Sequence, residues 1–338
     1  MKCIVGMSGG VDSSVCVALL KEKYDEILGC TFKMFDSPKV DEAISDAQKV
    51  AEYLKIPHVV IDCSEDFKKY VTDYFVEAYQ IGSTPNPCVV CNKFVKFHWL
   101  EKVRQQYNAD KIATGHYAKI LKRNDDQVEL HQAKDLSKDQ SYFLYQLSQE
   151  VLQHTELPLG NFSKEEIRAI AEKIGIHVAK KSDSQDVCFI PNGNYVEFVK
   201  TKIGQPESGE IVLDSGEVLG NHNGTINFTI GQRKGLGLSG GPFFVKEIKP
   251  AEKKVVVSNK DGVKSDCINL ATVHFINEPF EGQCEIKIRS SNKKLPAIVT
   301  CNQGKVIVKL LANEYGAAKG QHCVFYSESQ VLGGGVIC

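Results

Sequence analysis

Apolar positions in the first half of the chain switch between two periods. Lys2–Val5 is an apolar run of strand length, and Ser13–Lys23 follows with Val15, Ala18, Leu19 and Leu20 at helical spacing. Ile27–Phe32 and His58–Ile61 read as further strands, and between them Ile44, Ala47, Ala51 and Leu54 recur at helical spacing. Phe67, Val71, Tyr74 and Ala78 mark another helix, and Lys111–Thr114 another strand. Ser163 and Glu166 match a capping box, with Gly175 placed to end that helix. Strands alternating with helices predict an α/β, doubly wound parallel sheet covered on both faces.

The pattern changes after about residue 190. Ile211–Leu213 and Glu217–Leu219 flank Asp214-Ser215-Gly216 as a hairpin, and Phe243–Ile248 and Val255–Val257 flank Pro250 as another. Beyond residue 265 only short strands are expected, broken at Asn277-Glu278-Pro279, Asn302-Gln303-Gly304 and Lys319-Gly320-Gln321. The expected division is an α/β domain over 1–190, a small β-rich domain over 191–264 and a β-barrel over 265–338. Trp99 is expected to pack in a helix core.

With 338 residues the chain can hold two or three domains. Its net charge of -1 advertises no global field for nucleic acid, so an RNA site would need a local basic patch. Candidate patches are Lys93 with Lys96, Lys180 with Lys181, Arg233 with Lys234, Lys287 with Arg289, and Lys293 with Lys294. No apolar run approaches the roughly 20 residues of a membrane helix, and the start of the chain breaks too early for a secretory signal. No membrane partner and a cytoplasmic location are the expectation. In that reducing setting the twelve scattered cysteines are not expected to form structural disulfides.

Gly6-Met7-Ser8-Gly9-Gly10-Val11-Asp12-Ser13 lies between the first strand and the first helix. Glycines allow a tight turn and close approach to a ligand, and a helix N-terminus offers free amides and a positive dipole end. Ser8 and Ser13 add hydroxyl donors. Asp12 would repel a phosphate unless a magnesium ion bridged the two. The loop has no Gly-Lys-Ser/Thr. It resembles the Ser-Gly-Gly-Xaa-Asp-Ser signature of ATP pyrophosphatases, a resemblance that implies attack on the α-phosphate and release of pyrophosphate.

Cysteines form two further motifs. Thr84-Pro85-Asn86-Pro87-Cys88-Val89-Val90-Cys91-Asn92 reads as a rigid, non-helical segment, and Ser184-Gln185-Asp186-Val187-Cys188-Phe189-Ile190 closes the α/β region. Cys91 and Cys188 stand in polar, turn-like surroundings that can lower a thiol pKa. Cys3, Cys16, Cys30 and Cys63 sit in apolar contexts and read as buried and inert.

Together with Ala113-Thr114-Gly115-His116-Tyr117-Ala118, Lys138-Asp139-Gln140-Ser141, Thr229-Ile230-Gly231-Gln232-Arg233-Lys234-Gly235-Leu236-Gly237 and Leu332-Gly333-Gly334-Gly335, these motifs resemble the tRNA-specific 2-thiouridylases over essentially the whole chain. The resemblance implies ATP binding by Gly6, Met7, Ser8, Gly9, Gly10, Val11, Asp12 and Ser13, with Phe32 and Gly115 also lining that site. It implies a persulfide on Cys188, a nucleophilic Cys91, and Asn86, Pro87 and Cys88 against the target base. His116, Lys138, Asp139, Gln140, Arg289, Ser290 and Gln321 match positions that contact tRNA. A cysteine desulfurase or relay protein is implied as sulfur donor.

Cys88 departs from the family pattern, which has aspartate there. Three thiols, Cys88, Cys91 and Cys188, admit a pure thiol route, an iron–sulfur cluster with one open iron, or a zinc site. Two other functions stay open: a different ATP pyrophosphatase, either an amide-forming ligase or another RNA sulfurtransferase, and an RNA-binding module that uses ATP as a switch. Asp12, at a helix start, is expected to be exposed and dispensable for folding.

Overall fold

The computed structural model describes every residue except 182–185, 292 and 303. Ser184 and Gln185 ahead of Cys188, and Gln303 in the expected turn, therefore lie outside the described residues, as does the side chain of Lys180.

The α/β region opens with β1 (Lys2–Gly6), α1 (Val11–Leu20), β2 (Glu26–Lys33), α2 (Pro38–Tyr53) and β3 (His58–Asp62). Next come α3 (Ser64–Phe67), a π-helical turn at Lys68–Asp73 and α4 (Tyr74–Gln80), which together make the one helix expected from Phe67 to Ala78. Pro87–Cys91 is helical (α5), and a second π-helical turn, Asn92–Lys96, leads into α6 (Phe97–Gln106). The segment read as non-helical thus becomes a helix at Pro87. Proline is tolerated in a first turn because its missing N–H would be unpaired there anyway. The region continues with β4 (Lys111–Ala113), β5 (Ala118–Lys122), β6 (Val128–Gln132), α7 (Gln149–His154), β7 (Thr155–Glu156) and α8 (Lys164–Ile174). Both halves of the capping box at Ser163 and Glu166 are formed, and Gly175 ends α8 in the left-handed conformation.

Five strands form one parallel sheet in the order β3-β2-β1-β4-β7. Alternation along β1 sends Cys3 and Val5 to one face, against α1, α2 and α8, and Ile4 to the other, against Phe97, Leu100 and Val103 of α6. Strands run outward in both directions from β1, so the crevice beyond the carboxyl ends of β1 and β4 is a topological switch point, where ligands bind in such sheets.

After α9 (Tyr195–Ile203), the central unit holds β8 (Gly209–Leu213), β9 (Val218–His222), β10 (Phe244–Lys249) and β11 (Lys254–Ser258). Both expected hairpins form, and a parallel β8–β11 pair joins them into one sheet. The last unit comprises β12 (Lys264–Phe275), β13 (Gly282–Lys287), β14 (Leu295–Asn302), β15 (Lys305–Tyr315), β16 (His322–Ser327) and β17 (Gln330–Ile337). Its order β12-β15-β14-β13-β16-β17 closes through a β12–β17 pairing, so it is a barrel. Its strands are not all short: β12 has 12 residues and β15 has 11, each bent by a register shift.

The antiparallel β5–β6 hairpin leaves the α/β region and pairs with β17 of the barrel. Further contacts lock the three units. Gln321 Nε2 donates to the carbonyls of Thr84 (3.0 Å) and Pro85 (3.3 Å), and the Thr84 amide donates to Lys319 O. Arg289 donates to Gly316 O at 3.0 Å beside Ile230 of the central unit. Among the described residues no helix is long and apolar enough to cross a membrane.

Candidate active site

β1 ends at Gly6 and α1 begins at Val11, so Met7–Gly10 form a short loop at the switch point. Gly9 has φ +68° and lies against Ala43, whose carbonyl would be 2.3 Å from an added Cβ. Only glycine fits that turn. Gly10 is the N-cap of α1 and supplies no side-chain cap, which leaves the first amides of the helix for an anion. Ser13 is buried; its hydroxyl accepts from the Ser8 amide (3.1 Å) and donates to Gly10 O (3.2 Å), so it fixes the loop. Phe32 lies at the end of the neighbouring β2, partly buried between two apolar clusters. Gly115 packs on the loop so closely that a Cβ would sit 2.9 Å from Asp12 C and Ser13 N.

Asp12 is not free. Lys164 Nζ, from the first turn of α8, reaches both of its carboxylate oxygens, and the Tyr117 hydroxyl donates to Oδ1 at 2.8 Å. The Lys164 side chain is only 6% exposed, so the carboxylate is the counter-charge of a buried ammonium. This corrects the expectation of an exposed, structurally silent Asp12. Sequence reasoning missed Lys164 and Tyr117 because nothing local ties them to a loop more than a hundred residues away.

The thiols gather at a second point. Cys91 is buried in a cluster with Cys63, Phe67, Phe75, Phe189 and Ile190, so the segment that carries Cys188 packs against the end of α5. Cys88 and Cys188 are exposed. Cys91 feels the charge of both other thiols, and Cys188 that of Cys88. Burial pushes Cys91 up to about 12, and desolvation by the surrounding protein raises Cys88 and Cys188 although both residues reach solvent, against the lowering pull of the Lys96 ammonium. The expectation that polar surroundings lower these thiols is overturned: desolvation outweighs the cation. The inert reading fits Cys3, Cys16, Cys30 and Cys63, all buried, with burial the first cause of each raised pKa.

Lys96 is the residue the sequence misjudged most. The sequence pairs it with Lys93 as a candidate basic set for RNA, yet its charge is coupled to the thiols. A π-turn, with i→i+5 hydrogen bonds, brings residues five apart toward one face. Cys91 and Lys96 span such a turn. Desolvation pushes the Lys96 ammonium down, but the combined pull of Cys91, Cys188 and Cys88 leaves it raised. It also helps burial hold His116 neutral, down at about 3. His116 pairs through Nδ1 with Thr114 Oγ1 at 2.8 Å and directly follows Gly115. The Lys96 charge is thus felt both by His116, next to Gly115 at the phosphate loop, and by the three thiols.

Among the described residues no three His, Cys, Asp or Glu side chains converge on one point as metal ligands. Among the described residues the site therefore presents no ready three-ligand set for an iron–sulfur cluster or a zinc ion. Magnesium is a different case: Asp12 stands at the loop, and phosphate oxygens would supply most of its ligands.

Several expected tRNA contacts have other work. The Asp139 side chain is fully buried and accepts from Gln132, Ser141 and the Ala133 amide, with Lys287 3.8 Å away. Gln140 accepts from the Tyr117 amide, and Gln321 and Arg289 hold the unit boundaries. Asp139, Arg289 and Gln321 thus have partners within the fold. Among the basic sets, Lys181 is paired with Asp46 and Lys294 with Glu285, whereas Arg233, Lys234 and Lys293 are exposed. Ser290 is exposed, and Asn86, Pro87 and Cys88 start α5 beside the Gln321 clamp. Trp99 is only half-buried, its indole N–H donating to Asp66 at 2.9 Å.

The chain matches three consecutive family models: a tRNA methyl transferase HUP domain over 1–192, a tRNA methyl transferase PRC-barrel domain over 196–259 and an aminomethyltransferase beta-barrel domain over 265–337. It is 42% identical to the tRNA-specific 2-thiouridylase MnmA of Clostridium kluyveri, with 99% of each chain covered. It is also 42% identical to that of Zymomonas mobilis, covering 99% of this chain and 93% of the other. Among solved structures, the U34-tRNA thiolase NcsA from Methanococcus maripaludis is 19% identical at TM-score 0.38, covering 60% of this chain and 64% of the other. On the full-length identities, with a phosphate loop and a thiol site at one end of a single sheet, the chain belongs to the tRNA-specific 2-thiouridylases, tRNA sulfurtransferases built on a PP-loop ATP-binding domain.

Proposed function

We propose that this enzyme thiolates the wobble uridine of tRNA at C2 through an adenylated uridine and a persulfide on Cys188. The supporting observation is that Cys91 and the Cys188 segment, 97 positions apart, meet in one cluster within the influence of the Lys96 charge. C2 of uracil is a poor electrophile because its oxygen leaves badly. The O2 atom attacks the α-phosphate of ATP, pyrophosphate leaves, and O2 becomes part of a good leaving group. The α1 amides face the phosphate charge that moves in this step. A magnesium ion held through Asp12 would neutralise part of that charge.

The terminal sulfur of the Cys188 persulfide then attacks C2, and AMP departs with the former O2. Cys91 attacks the Cys188 sulfur, the sulfur–sulfur bond breaks, and 2-thiouridine is released with a Cys91–Cys188 disulfide left behind. An external dithiol reduces that disulfide, and a sulfur-donor protein reloads exposed Cys188. Cys91 begins as a buried thiol, so its proton must leave before it attacks; Lys96 is the cation that favours the thiolate. Unpaired anticodon-loop bases are readily turned out into such a pocket.

The test is tRNA-dependent pyrophosphate release measured beside sulfur incorporation. Cys91→Ser and Cys188→Ser should each stop thiolation and leave pyrophosphate release largely intact. Normal thiolation by either variant overturns the persulfide route.

A further inference from the structure

The two π-helical turns of the α/β domain, Lys68–Asp73 and Asn92–Lys96, lie against the same short helix, α5, and each presents one aromatic ring to the other. Tyr70 and Phe94 stack with centroids 5.2 Å apart and planes 16° from parallel. Each ring carries a lysine from the residue before it: Lys69 Nζ is 4.9 Å from the Tyr70 centroid and Lys93 Nζ is 5.2 Å from that of Phe94. Tyr70 rests partly buried on the apolar cluster, but core packing does not account for Phe94. Phe67 and Phe75 of the adjoining cluster are 1% and 3% exposed, whereas Phe94 is 38% exposed. Lys69 is exposed too, and neither it nor Lys93 has a carboxylate partner among the described ion pairs. π-Turns recur at functional sites more than elsewhere in helices.

Position makes the pair specific. Phe94 lies three residues beyond Cys91 in the chain, exposed on the π-turn that leads from the buried Cys91 to Lys96. Lys93 is close enough to lower His274 of β12, so the pair stands at the seam between the α/β domain and the barrel. A parallel aromatic pair flanked by unneutralised ammonium groups is what an unpaired nucleotide requires: a π-surface for the base and cations for its phosphates.

We propose that Tyr70 and Phe94, with Lys69 and Lys93, form a stacking platform for an unpaired anticodon-loop nucleotide beside the uridine being thiolated. The base lies on the aromatic pair, and the lysine that gives up its ring swings to the adjoining phosphate. The inference rests on the tRNA thiolation reading but not on its chemical route.

The experiment uses the full chain with an anticodon stem–loop carrying 2-aminopurine at one loop position at a time. Stacking should quench the fluorescence at a loop position next to the target, and Phe94→Ala should abolish that quench. The same variant should weaken stem–loop binding about tenfold, as expected for losing one base–aromatic stack. Phe94→Trp should preserve both, and a fully paired hairpin should bind Phe94→Ala and the parent protein alike. Tyr70→Phe controls for the ring without the hydroxyl and should behave as the parent. An unchanged quench and affinity in folded Phe94→Ala overturns the platform. So does an equal loss for the paired hairpin, which would mark the site as electrostatic only. A parent protein that thiolates tRNA while Phe94→Ala changes nothing refutes the platform alone; a parent that thiolates no tRNA refutes the functional reading instead.

Discussion

Lys164 Nζ lies 2.7 and 2.9 Å from the two carboxylate oxygens of Asp12, joining the first turn of α8 to the phosphate loop across 152 positions. A charge expected to serve only the nucleotide also neutralises a buried lysine. Any change at Asp12 therefore acts on folding and on chemistry together.

Asp12→Ala should lower stability by about 1–2 kcal/mol, because it removes the charge-assisted hydrogen bonds that the partly exposed carboxylate makes to the buried Lys164 ammonium. It should also abolish tRNA-dependent pyrophosphate release. Asp12→Ala combined with Lys164→Met should recover much of the stability in urea unfolding without recovering pyrophosphate release. Equal stability of Asp12→Ala and the parent would show that the pair carries no weight.

Thiol chemistry should be alkaline-favoured. Burial raises Cys91 to about 12, so its thiolate fraction rises about tenfold per pH unit across the neutral range. Single-turnover thiolation should climb from pH 7 to pH 9 while pyrophosphate release climbs less. Lys96→Met removes the cation that lowers the thiols and should slow alkylation of Cys188 severalfold at pH 8; Lys96→Arg should restore most of it. Alkylation at the parental rate in Lys96→Met would show that the ammonium does not act on the thiols.

His322 is buried against Tyr145, its Nδ1 2.7 Å from the hydroxyl, and burial holds its pKa down at about 4. A base lowered on folding stabilises the native state above its unfolded value near 6.5, and that stability is lost as pH falls toward 4. About 3 kcal/mol should disappear over this window. His322→Gln should flatten the acid limb of a stability-versus-pH curve measured by urea unfolding. An unchanged limb would show that His322 is not its source.

Salt dependence should separate RNA-facing cations from structural ones. Arg233 and Lys234 are exposed, so replacing both with alanine should reduce the slope of log affinity against log salt by about 2. Arg289→Ala should leave that slope unchanged and instead loosen the contact between the central unit and the barrel, seen as faster amide exchange around Gly316. A shallower slope in Arg289→Ala would return it to the RNA surface.

The sequence alone was enough for the parallel α/β domain, the α8 capping box, the two central hairpins and the phosphate loop. Each rests on local rules: hydrophobic period, cap chemistry, and the need for glycine at a tight turn such as Gly9. Motif order also sufficed to place the chain among the 2-thiouridylases. Only the tertiary structure decided which side chains meet. The Asp12–Lys164 pair, the burial that raises Cys91 and the seam formed by Gln321 and Arg289 join residues that no period links. Local pattern misled at Lys287, read as part of a basic set until folding buried it 3.8 Å from Asp139. Lys96 misled for a subtler reason. In an α-helix, residues five apart point in different directions, and the π-turn that brings Lys96 toward Cys91 leaves no mark in the hydrophobic pattern. Desolvation and charge pairing depend on what surrounds a group in three dimensions, so the chemistry of these thiols could be located in the chain but not tuned from it.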